Sequence, residues 1–153
     1  MALEFDTTMP GLMINRGIKM ALAATTAITV YKGTQPSGAD IANNWANYNQ
    51  SSLDCLAHYT GANWVQQIAH SPLLAINNIP TTSPAFNSGE ATWAIFWITD
   101  VTLTQLQSST IPSTSFIVIP SSGLTGKGVI RFIDPGFTSG VSKSIAEVIL
   151  KAA

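Results

Sequence analysis

The sequence has few charged side chains, a single cysteine and no long apolar run. Only 10% of its 153 residues are Asp, Glu, Lys or Arg, whereas soluble domains usually carry about 25%. Uncharged Ser, Thr, Asn and Gln supply most of the remaining polarity. Because a hydrogen-bonded neutral group costs less to dehydrate than a charge, this composition is typical of a surface that contacts other protein.

Each absence argues against a class of protein. Cys55 has no second cysteine with which to form an internal disulfide. No apolar run approaches the roughly 18–20 residues that span a bilayer, and Glu4 and Asp6 stand where a secretory signal would be basic. No Lys or Arg occurs between Lys32 and Lys127, which disfavours direct contact with nucleic-acid phosphates. We therefore expect a product made soluble in a cytoplasm, with no membrane or nucleic-acid partner.

Short alternating apolar segments separated by turn residues predict a mostly β chain. The strongest is Ala91–Thr99, in which Trp93, Ile95 and Trp97 face one side and Ala94, Phe96 and Ile98 the other. Because both sides require cover, we expect a central strand between two layers. Further strands are predicted over residues 28–32, 52–60, 115–119, 127–133 and 142–150. This spacing predicts a single-domain antiparallel β-sandwich or jelly-roll-like fold over residues 25–153.

Residues 1–24 differ from the rest of the chain. Residues 1–8 read as an extended arm, and Pro10–Ala24 as a short helix with Pro10 in its first turn. The segment is either a helix that packs on the core or an arm that orders against a neighbouring subunit. The candidate contacts of such an arm are Leu3, Phe5, Met9, Leu12 and Met13.

Side chains that carry chemistry are sparse, and we expect no catalytic residue, cofactor or metal. On a regular strand Cys55 and His58 lie three apart and face opposite sides, which disfavours shared coordination with His70. We expect a small buried thiol and surface imidazoles. No serine lies in a Gly-x-Ser-x-Gly elbow, and the loop Gly123–Gly128 lacks the spacing of a phosphate loop, so a hairpin loop is predicted.

Four aromatic residues lie close together in an amide-rich stretch. Such a group suits a hydrophobic core, a subunit contact, or a site for a glycan on a host surface. The four are Trp45, Tyr48, Tyr59 and Trp64.

The run Ile28–Asp40, ITVYKGTQPSGAD, follows a short apolar helix-like segment. It resembles a segment of the type "IYSGTQPASAD" in the amino-terminal third of small structural proteins of tailed bacteriophages. Lys32 and the stretch Asn43–Asn49 depart from that pattern. The resemblance implies a virion component and carries over no catalytic residue.

Composition and resemblance together predict a non-enzymatic structural protein. The leading hypothesis is a capsid decoration or cement protein that docks on the major capsid protein and on copies of itself. The alternatives are a tail, neck or baseplate component, and a module that binds host glycan through the aromatic residues.

Overall fold

A computed structural model of the protein describes residues 26–62, 64–66, 74–76 and 81–150. The chain is mostly β, as predicted. The predicted arm and helix over residues 1–24 and the five candidate contacts within them lie outside the described residues.

The described ranges contain eleven strands and three short helices. The helices are α1 (Gly38–Asn43), a 3-10 helix (Trp45–Asn47) and α2 (Leu103–Leu106). The strands are β1 (Thr26–Tyr31), β2 (Cys55–Ala62), β3 (Trp64–Gln66), β4 (Leu74–Ile76), β5 (Thr81–Thr82), β6 (Gly89–Glu90), β7 (Trp93–Trp97), β8 (Phe116–Gly123), β9 (Ile130–Phe132), β10 (Gly136–Phe137) and β11 (Glu147–Leu150).

Nine strands pair in the order β3-β4-β11-β9-β8-β7-β1-β2-β5, and β10 pairs with β6 in a small second sheet. Only residue 63 separates β2 from β3, yet these strands lie near opposite ends of the order. The sheet therefore curls back on itself. All pairings are antiparallel except β8 with β9, which is parallel, so the sheet is mixed and the predicted wholly antiparallel arrangement is wrong at this pairing.

The connection from β8 to β9 is the reason for the exception. The predicted hairpin loop over Gly123–Gly128 instead turns back along β8, so that Ser121 lies beside Ile130 in parallel register. Ser122 Oγ accepts a hydrogen bond from Gly128 N at 2.9 Å. A Cβ atom on Gly128 would lie 2.5 Å from Ser122 N, so only glycine permits this approach.

Two apolar clusters lie on opposite faces of the curled sheet. The inner cluster combines alternate residues of the central strands, such as Ile28 and Phe96, with side chains of β2, β9 and β11. The outer cluster contains the other alternate residues, such as Tyr31 and Trp97, and is covered by α1, the 3-10 helix and α2.

The side chains of β7 lie on the two sides of the sheet as predicted, with Trp93, Ile95 and Trp97 in the outer cluster and Ala94 and Phe96 in the inner cluster. All five residues of β7 are buried between β1 and β8, which confirms it as a central strand with cover on both sides.

The alternation of Cys55, Ala57 and Tyr59 with Asp54, Leu56 and His58 predicts a strand with one solvent-exposed side, and this prediction is wrong. Residues 55–59 are all buried: Leu56, Ala57 and Tyr59 lie in the inner cluster, whereas Cys55 and the hydrogen bond from Thr29 to His58 lie on the face of the outer cluster.

Candidate functional site

Two connecting segments meet over the outer cluster and form an uncharged surface. One consists of residues 42–52, at the end of α1 and beyond, and the other of residues 107–114, after α2; neither contains a charged residue. Gln50 N donates to Leu106 O at 3.2 Å, which joins them. We call residues 42–52 and 107–114 the amide–hydroxyl surface.

Local sequence fixes the two short helices that carry this surface. Ser37 caps α1, since its Oγ accepts a hydrogen bond from Asp40 N at 3.1 Å. Thr102 and Gln105 form a reciprocal capping box at the start of α2. The Thr-x-x-Gln spacing is a signal in the sequence for α2, which the strand-based prediction missed.

Trp45 anchors the first segment to the second. Its indole Nε1 donates to Ser108 O at 3.0 Å, and its ring meets Trp97 edge to face with centroids 5.7 Å apart. Only 4% of Trp45 is exposed. Its ring is therefore part of the core beneath the surface, and its face is not free to stack on a ligand.

The carboxylate of Asp40 borders the surface and is hydrogen-bonded by neighbouring side chains. Asp40 accepts a hydrogen bond from Asn44 Nδ2 at 2.8 Å and another from the hydroxyl of Tyr48. Burial and the bond to Asp40 raise the pKa of Tyr48 to about 12, so its hydroxyl stays protonated and keeps donating. The carboxylate of Asp40, at the edge of the surface, thus accepts hydrogen bonds from both of these side chains.

A shallow groove of about 520 Å³ runs between the two segments. The described residues that line it carry no charge. Side-chain amides and hydroxyls that can donate and accept hydrogen bonds are exposed along it. Its polar lining comprises Asn43, Asn44, Asn47, Ser109 and Thr110.

The four sequence-selected aromatic residues do not form one group. Trp45 belongs to the outer cluster and Tyr48 packs against it, with Tyr48 in edge-to-face contact with Trp93 at 6.0 Å between centroids. Tyr59 lies in the inner cluster, on the opposite face of the sheet, where its hydroxyl donates to Lys143 O at 2.5 Å. The side chain of Trp64 lies outside the described residues.

His58 is buried rather than at the surface as predicted. Only 2% of it is exposed, and its Nδ1 lies 2.8 Å from Thr29 Oγ1 while its Nε2 lies 2.6 Å from Val101 O. Thr29 Oγ1 also accepts from Trp97 Nε1 at 2.9 Å. One consistent set of protons has Trp97 donating to Thr29, Thr29 to His58 Nδ1, and His58 Nε2–H to Val101 O.

Burial also decides the charge state of His58. Desolvation lowers its pKa and outweighs the opposing effects of the Val101 hydrogen bond and of Asp100. A neutral imidazole fits the three hydrogen bonds because the Nδ1 atom must accept. Both ring nitrogens of His58 thus have hydrogen-bond partners inside the protein.

Cys55 is a buried thiol, as predicted, but its relation to His58 differs from the prediction. Cys55 pairs with Tyr31 and His58 with Thr29, because the register between β1 and β2 shifts at Leu56. This bulge places Cys55 and His58 on the same face of the sheet. Burial raises the pKa of the Cys55 thiol to about 12, and within the described ranges no group of three or more His, Cys, Asp or Glu side chains is placed to hold a metal ion.

Comparison with known proteins gives no family to which the chain can be assigned. Over the residues that the structure describes, no helix has both the length and the apolar character that crossing a membrane requires. No protein-family model, curated protein or solved structure matches the chain.

Proposed function

We propose that the chain is a non-enzymatic structural protein of a tailed-phage virion, a capsid decoration or cement protein. In this proposal it binds neighbouring subunits through residues 1–24 and through the amide–hydroxyl surface. Its partners are the major capsid protein and copies of itself, and it reaches the virion from the host cytoplasm.

The observation that carries the proposal is the amide–hydroxyl surface itself. Two segments separated by more than fifty residues are held together by Trp45 and Gln50, and together they expose amides and hydroxyls without a charge. Such a surface dehydrates at lower cost than a charged one. It can therefore form many hydrogen bonds in a contact that repeats over a symmetric lattice, where moderate contacts add.

Two further features support the proposal. Ile28–Asp40 resembles a segment of phage structural proteins, and it spans most of β1, the turn after it and the start of α1, next to this surface. The finer fold expectation, a sandwich or jelly-roll-like domain, remains part of the proposal and is supported by the two apolar clusters on opposite faces of the sheet. A tail, neck or baseplate position is the alternative within the same class.

A glycan-binding module is the second candidate function. The amides along the 520 Å³ groove favour it, since sugar hydroxyls pair well with Asn side chains. Stacking on Trp45, which the sequence suggested, is not available because that ring is buried. Saturable binding of cell-surface glycan, lost in Asn47→Ala, would identify this function.

The test places charge in the amide–hydroxyl surface without changing side-chain shape. Asn43 and Asn47 are exposed there, and Asn43→Asp with Asn47→Asp adds two carboxylates that binding would have to desolvate. We expect occupancy on intact particles, counted by imaging, to fall at least about tenfold.

The matched control is Thr138→Asp, at an exposed position that follows Phe137 of the inner cluster. It adds a similar charge away from the surface, and we expect occupancy to stay at the level of the unmodified protein. Full occupancy of the Asn43→Asp, Asn47→Asp protein would remove this surface from the proposed contact. Absence of the unmodified protein from particles would end the proposed function.

A further inference from the structure

A second, apolar groove opens where β9 and β11 diverge. The two strands pair antiparallel at Arg131 with Glu147, and Ala146 N still donates to Arg131 O at 2.9 Å. Beyond that bond the two segments separate and leave a groove of about 640 Å³. We call it the apolar groove; its walls are formed by Leu124, Ile133, Asp134, Lys143, Ile145 and Ala146.

Large apolar side chains lie exposed in this groove. Ile133 is 83% exposed and Leu124 is 45% exposed, while Ile145 forms the buried floor. Single exposed apolar residues are ordinary, but several that line one concave site mark a place where another molecule binds.

The surroundings of the groove are cationic. Residues 127–147, which include the groove lining from Ile133 to Ala146, contain Lys127, Arg131 and Lys143 against Asp134 and Glu147, a net side-chain charge of +1. These are three of the four cations among the described residues. Lys143 Nζ donates to Asp134 O at 2.6 Å and lies 3.9 Å from Asp134 Oδ2, so these two groove residues form an ion pair and Lys127 and Arg131 supply the remaining positive charge.

The complementary segment lies near the start of the same sequence. Residues 3–6 read Leu-Glu-Phe-Asp, and in an extended conformation Leu3 and Phe5 would project to one side. Glu4 and Asp6 are the only charged side chains before Arg16 and give this stretch a charge of −2. An apolar pair flanked by acids matches an apolar groove flanked by cations.

We infer that the apolar groove of one copy receives residues 3–6 of a second copy. The inference rests on the proposed function, because it names the place at which the arm contacts a neighbour. Leu3 and Phe5 would cover Ile133 and Leu124, and Glu4 and Asp6 would lie close to the cations of residues 127–147.

Chain length allows the segment to reach the groove of a second copy. Thr26 begins β1 at the end of the sheet opposite to Gly123 and the groove, since β1 and β8 run in the same direction on either side of β7. Nineteen residues lie between Asp6 and Thr26, and the twenty Cα–Cα steps span at most about 66–72 Å. A domain of this size has a radius of gyration of only about 15 Å, so the segment can extend well beyond its own domain.

Site-directed cross-linking tests the inference with the full chain. One preparation carries Thr7→Cys, next to the docking residues, and a second, isotopically heavy preparation carries Ser144→Cys at the exposed edge of the groove. A short bismaleimide is added to the mixture and the products are weighed by mass spectrometry. Cys55 stays unreactive because it is buried, and the unmodified protein supplies that background.

We expect a mixed light–heavy dimer. Ile133→Ser in the groove preparation should lower its yield about tenfold, because burial of the apolar pair drives docking. Leu53→Ser is the matched control, since Leu53 is 76% exposed and does not line the groove; it should leave the yield unchanged. Equal yields when Thr114→Cys replaces Ser144→Cys would overturn the inference, because Thr114 is exposed elsewhere.

The double variant Thr7→Cys, Ser144→Cys separates the two possible copies. A cross-link within one chain at high dilution, with no mixed dimer, would show that the segment occupies its own groove and would overturn docking between copies. Binding of the unmodified protein to particles is measured separately. Particle binding without the mixed dimer would overturn this inference alone, and the mixed dimer without particle binding would overturn the proposed function alone.

Discussion

The inner and outer clusters of the sheet are stabilised in different ways. The inner cluster is mainly aliphatic and phenyl, with Phe132 and Phe137 in edge-to-face contact at 5.2 Å between centroids. The outer cluster contains tryptophans whose indole groups donate hydrogen bonds: Trp45 to Ser108 O, Trp93 to Lys32 O and Trp97 to Thr29 Oγ1. Apolar contacts predominate in the inner cluster, whereas hydrogen bonds from indole groups hold the covering segments over the outer cluster.

This difference bears on function because the amide–hydroxyl surface lies over the outer cluster. A surface for binding needs its exposed groups held in fixed positions, and hydrogen bonds from buried rings supply that constraint. In the inner cluster the hydroxyl of Tyr59 donates to Lys143 O, and apolar contacts between strands predominate. Substitutions in the two clusters should therefore change the free energy of unfolding by different amounts, and the stability that depends on pH should come from the outer face.

The largest effect is expected from removing a ring of the inner cluster. Phe96→Ala deletes a fully buried side chain of β7 and should lower the free energy of unfolding by about 3–5 kcal/mol, because the site cannot collapse around the cavity. Urea unfolding followed by tryptophan fluorescence measures it. Ile28→Val, in the same cluster, is the conservative control and should cost about 0.5–1.5 kcal/mol; equal losses would mean that the inner cluster is not closely packed.

An intermediate effect is expected from pH, through His58 of the outer face. Burial lowers the pKa of His58, so below about pH 6.5 the unfolded chain binds a proton that the folded chain does not. Stability should be constant above that pH and should decrease by up to about 1.4 kcal/mol per pH unit as the pH falls toward the folded-state pKa.

Unfolding measured from pH 8 to pH 5 in a His70→Gln background isolates this contribution. His70 is the other histidine of the chain, and most carboxylates titrate below that range. A stability that is the same at pH 8 and pH 5 would mean that His58 is protonated equally in both states, which contradicts the buried chain from Trp97 to Val101.

Local sequence patterns predict the central strands, but they do not predict the strand pairings and bulges that depend on residues distant in the sequence. The alternation of Trp93, Ile95 and Trp97 with Ala94 and Phe96 is local, and the structure confirms it. The bulge at Leu56 and the parallel pairing of β8 with β9 are set by contacts across the sheet, and no local period reports them. The strand predicted over residues 115–119 ends before Pro120, but β8 continues to Gly123.

The same limit applies to the candidate site. The uncharged composition predicts a neutral surface for protein contacts, which stays a prediction. For Trp45 the sequence left a core position, a subunit contact and a glycan site open, and its burial supports the core position. Its partner Ser108 lies 63 residues away, a separation that no motif encodes. His58 was assigned to the surface because a polar residue in an alternating strand normally faces water, whereas here Thr29 and Val101 supply both of its partners.

The smallest effect is expected from loosening the amide–hydroxyl surface without opening the core. Trp45→Phe keeps an aromatic ring against Trp97 but removes the Nε1 donor to Ser108 O, and an intramolecular hydrogen bond contributes only about 0.5–1.5 kcal/mol. Ser108 is exposed, so water can replace the lost donor and the loss in free energy of unfolding should lie at the lower end of this range.

The local consequence of Trp45→Phe is larger. The Gln50 amide, which donates to Leu106 O between the two segments, should exchange faster with solvent, while the amides of β7 keep their protection. Native-state hydrogen exchange distinguishes the two responses. Uniform acceleration across β7 and Gln50 would mean that Trp45 stabilises the whole fold and does not specifically hold the surface together.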